Sequence, residues 1–232
     1  MYRMRDIVRN EVKKLKIFQE VPESLIQTIL NQAQIVDYEK KEMIYRAKES
    51  VGFVYIVLDG EAVVYNITKH GNRKVIFILG KGSLLNYNII SKTQASVFCE
   101  AASGLTVLKI PQTLFVKMME QEPAWMCAVM REYERYIWRL SHQLKNTTGN
   151  MYLERKIAAK LWKLGRDFGV QTSAGVKIDI EMTMNLMADL VGAPRENVSR
   201  ACKNLSSQDL IVYKNKHFWI PDPEELAGFY KA

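Results

Sequence analysis

Histidine is scarce in this chain. Of 232 residues only His70, His142 and His217 are histidines, one at a turn, one in a long helical pattern and one beside a C-terminal strand. Metal-dependent β-barrel enzymes need several histidines and a carboxylate converging on one ion, so no metal centre is expected. Cys99, Cys127 and Cys202 are scattered, which offers neither a disulfide framework nor a zinc or cluster spacing. The longest apolar run, Phe53 to Leu58, is far too short to cross a bilayer. Residues 1–12 interleave charges and lack the apolar stretch of a signal peptide. There is no Ser/His/Asp arrangement, Gly-rich phosphate loop, internal repeat or low-complexity tract. These absences set the expectations: no catalysis, no membrane partner, a cytoplasmic location.

A chain of 232 residues holds one large or two ordinary domains with enough core for both. The net charge of +8 suits a polyanionic partner, but it is not concentrated at the C-terminus. Residues 151–232 carry 12 Lys+Arg against 10 Asp+Glu, while six basic residues precede Ile17. Charge is therefore weak support for any partner, and the sequence motifs decide.

Residues 1–33 read as helical, with Pro22 and Ser24 near the start of one segment. From Gln34 to Ile110 the pattern changes to short strands. Asp59-Gly60 separates two β-rich runs and reads as a two-residue hairpin, and His70-Gly71-Asn72 marks a second turn. Residues 80–92 are irregular, with further strands near 96–101 and 105–110. Many short strands at even spacing predict a closed or double-sheet β-roll. After Pro111 the helical period returns, and Pro123 suits the first turn of a long helix to about Lys145. Met126, Met130, Tyr133, Ile137, Leu140 and Leu144 follow a heptad spacing, opposite a polar face of Arg131, Glu132, Arg135 and Arg139. Three heptads of this kind predict a self-association seam. Residues 146–150 read as a hinge, with Asn150 a candidate cap for a helix with Leu153, Ile157, Leu161 and Leu164 on one face. Val176, Ile178, Ile180 and Met182 then alternate like a strand.

The stretch from Thr183 to Leu205 reads as helix, tight turn, helix. Thr183 supplies an N-cap hydroxyl, and Met187, Leu190 and Val191 share one face. Gly192 ends the first helix in a left-handed conformation, and Pro194 suits the start of the second. Val198, Ala201, Cys202 and Leu205 form an inward stripe, which leaves Arg195, Glu196, Ser199, Arg200 and Lys203 outward. Two arginines, a carboxylate and a hydroxyl on one narrow face can read base edges in a major groove. Residues 210–220 add two short strands around Lys214-Asn215-Lys216, with Asn215 taking the turn. Helix-turn-helix plus basic hairpin is a winged helix, whose Lys214 and Lys216 can reach phosphates. Thr183 joins Arg195, Glu196, Ser199, Arg200, Lys203, Lys214 and Lys216 in the expected DNA-binding set.

The order of β-roll, long helix, hinge and winged helix resembles the Crp/Fnr family of bacterial transcription regulators, over about Leu15 to Leu226. The resemblance is carried by VYIVLDGEAVVY in the roll, LERKIAAKLWKL after the hinge, MADLVGAPRENVSRACKNL in the reader and IPDPEEL after the wing. It implies an α+β fold: an N-terminal cyclic-nucleotide-binding-like β-roll (a jelly roll, or double-stranded β-helix), a long dimerisation helix and a C-terminal winged helix-turn-helix. The implied domains are residues 1–145, with the dimerisation helix at 123–145, a hinge at 146–150 and a DNA-binding domain at 151–232. The implied partners are double-stranded DNA, a second copy of the chain and, if the protein activates, RNA polymerase. Glu-x-x-Ser-Arg resembles the oxygen-sensing branch, which reads a TTGA-type half-site. Arg195 resembles the cyclic-AMP branch, which reads TGTGA, so a palindrome with a shared TGA core is implied.

The sensor loop departs from the family. Cyclic-nucleotide binders hold the ribose with Gly-Glu and the phosphate with Arg-Ser or Arg-Thr, but here Asn86-Tyr87 and Thr93-Gln94 stand at those places. Lys92 is a point charge rather than a guanidinium fork. No N-terminal cysteine cluster of the oxygen-sensing kind is present, and a haem would have His70 alone. Cyclic AMP is therefore not the expected effector and no cofactor is predicted. The candidate pocket comprises Leu84, Leu85, Asn86, Tyr87, Lys92, Thr93 and Gln94. The competing reading is a ligand-binding β-roll whose winged helix contacts protein rather than DNA.

Overall fold

A computed structural model describes residues 10–91, 94–147 and 152–231, with side chains described as far as Leu144 on the long helix. Lys92, Thr93, Asn150 and most of the expected hinge lie outside the described residues. The chain divides into two compact units, Met1–Asn66 with Phe77–Ser141 and Ile67–Ile76 with His142–Ala232.

In the first unit the N-terminal helical pattern is broken into pieces. Helix α1 covers residues 10–14, a 3-10 turn covers Lys16–Phe18, and α2 runs Glu23–Gln32 behind Pro22. Seven strands follow, all in the first unit except the last residue of β4 and the first four of β5: β1 Gln34–Tyr38, β2 Met43–Tyr45, β3 Phe53–Asp59, β4 Ala62–Ile67, β5 Arg73–Leu79, β6 Phe98–Ala101 and β7 Leu105–Pro111. They form two antiparallel sheets, β1-β7-β3 and β2-β6-β4-β5. This is the double-sheet roll expected from the spacing of the strands.

One turn differs from the sequence expectation. Asp59-Gly60 does not close a hairpin, because β3 pairs with β7 and β4 with β6, in different sheets. It is the corner where the chain changes sheets. Gly60 is required there by φ +77 and by the approach of the Gly104 carbonyl, 2.0 Å from where a Cβ would sit. The His70-Gly71-Asn72 turn does join neighbouring strands, β4 and β5.

Helix α3 (Gln112–Gln121) and helix α4 (Pro123–Thr147) close the first unit. Trp125 anchors α4, fully buried between Phe18 and Phe115 with ring centroids 5.0 Å away on each side. The supposedly polar outer face of α4 is the face that covers the roll. Ala128, Val129, Glu132 and Tyr136 are buried, and the Glu132 carboxylate pairs with Arg135 at 2.5 Å. Burial raises the Glu132 pKa against the opposing pull of Arg135. Helical spacing places both faces correctly but does not say which one is covered, since a tyrosine and a paired acid can be buried when hydrogen-bonded.

The second unit contains α5 Leu153–Phe168, β8 Gly169–Thr172, β9 Gly175–Ile178, α6 Met184–Val191, α7 Arg195–Ser207, β10 Val212–Lys214, β11 His217–Ile220 and α8 Pro223–Lys231. Its sheet runs β10-β11-β9-β8. The hairpin β8–β9 adds an edge strand that the sequence does not announce, since β8 is mostly exposed and has no alternation. Ile157, Leu161 and Leu164 of α5, Ile178, Ile180 and Met182, and Leu226 of α8 form the core of this unit. Among the described residues no helix is long and apolar enough to cross a membrane.

Candidate nucleic-acid interface

The helix-turn-helix is set by three local features. The Thr183 hydroxyl accepts from the Leu186 amide at 3.1 Å, which caps α6 as its sequence position suggests. Gly192 ends α6 at φ 71, ψ 45, the left-handed geometry a side chain adopts only at a cost. Pro194 stands at the N-cap of α7 in an extended conformation, just outside the helix rather than in its first turn. Val198, Ala201, Cys202 and Leu205 are then all buried, at ~1.5–3 kcal/mol for a fully buried Val or Leu. That stripe fixes the rotation of α7 about its axis.

What remains outward is the expected set. Arg195, Glu196, Arg200 and Lys203 are exposed and Ser199 is half-buried. Asn197 is exposed beside them and was not anticipated, although its position three residues before Arg200 puts it on the same surface. Arg200 Nη2 donates to Asn197 Oδ1 at 2.6 Å. The Glu196 carboxylate makes no hydrogen bond or ion pair among the described residues. The Glu196–Arg200 pair at i,i+4, ~0.3–0.5 kcal/mol on an isolated helix, is thus not formed.

The wing is pinned to this unit from two sides. Asn215 and Lys216 both take positive φ, at 50° and 58°, so that Lys214 pairs directly with His217. That is the two-residue hairpin geometry whose twist suits the flanking strands. The Met182 amide donates to the Lys216 carbonyl at 2.7 Å, and the Tyr213 hydroxyl to the Met182 carbonyl at 3.1 Å. Lys214 is exposed and its ammonium has no partner among the described residues. Lys216 is exposed but pairs with Glu181 at 2.6 Å, a hydrogen bond that raises its pKa. Of the two wing lysines, Lys214 is the one free to meet a phosphate without first leaving an acid.

The candidate effector loop is packed rather than open. Leu84 and Leu85 are each 1% exposed and Ile89 is fully buried. Asn86 is also buried, and its side chain bridges the backbone of β3: Oδ1 accepts from the Tyr55 amide at 3.1 Å and Nδ2 donates to the Phe53 carbonyl at 2.9 Å. Tyr87 is 44% exposed, with its hydroxyl on Ser96 Oγ, and Gln94 is exposed. The structure therefore gathers Leu84, Leu85 and Asn86 in the core and leaves Tyr87 and Gln94 at the surface. The same loop holds α4. The Tyr136 hydroxyl donates to the Leu84 carbonyl, Arg135 to Ser83 Oγ at 3.3 Å, and the Tyr133 hydroxyl to the Tyr87 carbonyl at 2.9 Å. Of the six seam residues Tyr133 is half-buried by this contact, whereas Met126, Met130, Ile137, Leu140 and Leu144 are 41% to 66% exposed.

Residues 35–122 match the cyclic nucleotide-binding domain and residues 155–229 the Crp-like helix-turn-helix domain. The chain is similar to a CRP-like cAMP-activated global transcriptional regulator of Mycobacterium tuberculosis, 23% identical over 91% of this chain and 94% of that protein. It is similar to the transcriptional activatory protein AadR of Rhodopseudomonas palustris, 27% identical over 86% of this chain and 82% of that one. Among solved structures it superposes on FixK2 from Bradyrhizobium japonicum with a TM-score of 0.75 at 18% identity, covering 84% of this chain and 96% of the other.

If Asn86 serves the fold, Asn86→Ala strands the Tyr55 amide and the Phe53 carbonyl, at a cost of ~1–3 kcal/mol for each buried group left unpaired. Urea unfolding should show that loss as a lower midpoint at unchanged slope. An unaltered midpoint would return Asn86 to the candidates for ligand contact.

Proposed function

Because this chain belongs to the Crp/Fnr family of DNA-binding transcription regulators, we propose that it works as a homodimer whose α7 helices read a palindromic site with a TGA core. The observation that carries this reading is the outward face of α7. Glu196, Arg200 and Lys203 stand exposed over a fully committed inward stripe. Glu196 accepts from a cytosine N4, Arg200 donates to guanine or phosphate, and Ser199 lies near a thymine. Lys203, Lys214 and Lys216 contact the backbone, Arg195 stands with the base-reading groups at the start of α7, and Thr183 completes the DNA-binding set. Residues 151–232 form the reader, 1–145 the sensing and dimerising part, with 146–150 between them. The protein acts in the cytoplasm, with RNA polymerase a partner if it activates. The reading in which the winged helix contacts protein is not favoured, since nothing on α7 forms an apolar docking face.

The homodimer rests on the stripe from Met126 to Leu144, whose apolar side chains stand exposed. Reading both halves of a palindrome requires two reading helices about one DNA turn apart, ~34 Å, and a dimer supplies the two. Cyclic AMP is not the effector in this reading. A phosphate diester buried without a guanidinium is costly, and Asn86 is already committed to β3.

Three measurements test this. Ile137→Asp with Leu140→Asp should convert the dimer to a monomer in sedimentation, because the charges would be buried unpaired at the seam. A double variant that stays dimeric gives the stripe another role. Selection from random duplexes should return TGA-containing palindromes, and Glu196→Ala should relax one base pair by ~1–3 kcal/mol while Lys203→Ala weakens all sequences and lowers the salt slope. Recovery of no such palindrome sinks the site assignment. Calorimetry with cyclic AMP or cyclic GMP at millimolar concentration should give no binding heat. Micromolar affinity would mean a phosphate site built on other residues, with Lys92 the first to replace.

A further inference from the structure

We propose that Asn197 is a positioning residue that keeps the two base-reading groups of α7, Glu196 and Arg200, from pairing with each other. The inference rests on the DNA-reading function above and deepens it.

Glu196 and Arg200 are four residues apart with the acid nearer the helix N-terminus, the arrangement in which opposite charges on a helix attract best. Such a pair would commit the acceptor needed by a cytosine amine and the donors needed by a guanine. Each base contact would then begin by breaking it. The pair is not made. Arg200 turns instead toward Asn197, donating from Nη2 to Oδ1 at 2.6 Å, and the Glu196 carboxylate is left without a partner among the described residues. Nothing steric imposes this, since all three side chains are exposed and Arg200 borders an open concavity of about 370 Å³.

The residue type at 197 suits the task. An amide oxygen is a neutral acceptor, so it orients the guanidinium without cancelling its charge. It occupies one of five N–H donors and leaves a fork for the bidentate contact with guanine O6 and N7. The Asn197 Nδ2 group is a donor and so does not compete with Oδ1 for the Arg200 donors. A carboxylate at 197 would hold Arg200 more tightly and place like charge beside Glu196. An aliphatic residue would release Arg200 to Glu196.

The test uses the full-length protein and the duplex that the unaltered chain selects from a random library. Asn197→Ala should lower discrimination about 2-fold at both the guanine read by Arg200 and the cytosine read by Glu196, the scale of first breaking one exposed i,i+4 helix pair. The slope of log affinity against log salt should not change, because no charge has been altered. Adding Glu196→Gln to Asn197→Ala should restore discrimination at the guanine, since the captor has been neutralised. Unchanged discrimination in Asn197→Ala, or a loss at the guanine that persists in the double variant, overturns the inference. A second arm needs no DNA. In the free protein, NMR should detect the Glu196–Arg200 contact in Asn197→Ala and not in the unaltered chain. The contact present in both, or in neither, also overturns it. Failure of the unaltered chain to select any duplex would instead remove the DNA-reading assignment, and the NMR arm would still decide what Asn197 does.

Discussion

Two tyrosine hydroxyls and a guanidinium on α4 hydrogen-bond to residues 83–87 of the roll, and the rest of the first unit depends on that arrangement. Once α4 covers the roll, Tyr136 is 7% exposed and its hydroxyl cannot stay unpaired. It finds the Leu84 carbonyl, while Tyr133 finds that of Tyr87. These bonds, with Trp125 wedged between Phe18 and Phe115, fix how α4 is rotated about its axis. A helix rotated that way cannot also bury Met130, Ile137 and Leu144 against the same roll. The uncovered apolar stripe follows from satisfying the polar side, with no separate cause.

In the second unit the corresponding constraint is the buried stripe of α7. Burying Val198, Ala201, Cys202 and Leu205 makes the outward face a remainder, so its chemistry is free to vary without altering the fold. The Thr183 cap and the left-handed Gly192 fix where α6 begins and ends, and those limits set the turn into α7. The wing is tied in by the Tyr213 and Met182 bonds rather than by its lysines, which leaves Lys214 free.

The parts legible in the sequence are those whose cause is local. A capping threonine, a glycine at a helix end and an i, i+3, i+4, i+7 stripe act within a dozen residues, and the reader was visible for that reason. The roll was visible only as strand count and spacing. Asp59-Gly60 has the composition of a hairpin turn, but whether β3 and β4 pair depends on β6 and β7, some forty residues further on. The buried side of α4 was hidden because Glu132 and Tyr136 look like surface residues until their partners are known. Asn197 is not legible in the sequence for a related reason: an asparagine carries no charge, and its contribution depends on which partner it offers to Arg200.

The packed loop also constrains any effector. Leu84 and Leu85 are packed in the core of the first unit, and displacing either costs ~1.5–3 kcal/mol of buried apolar surface. Their carbonyls accept from Tyr136 and Tyr45, so the backbone cannot shift without loosening those bonds at ~0.5–1.5 kcal/mol each. A ligand that displaced these leucines would have to offset several kcal/mol and would disturb the bond that orients α4. Entry of a ligand there would be coupled to the position of α4, and could shift it only by a differential affinity for the two arrangements. A small or weakly held molecule cannot offset that cost, and so leaves Leu84 and Leu85 packed and the α4 stripe outward as they stand.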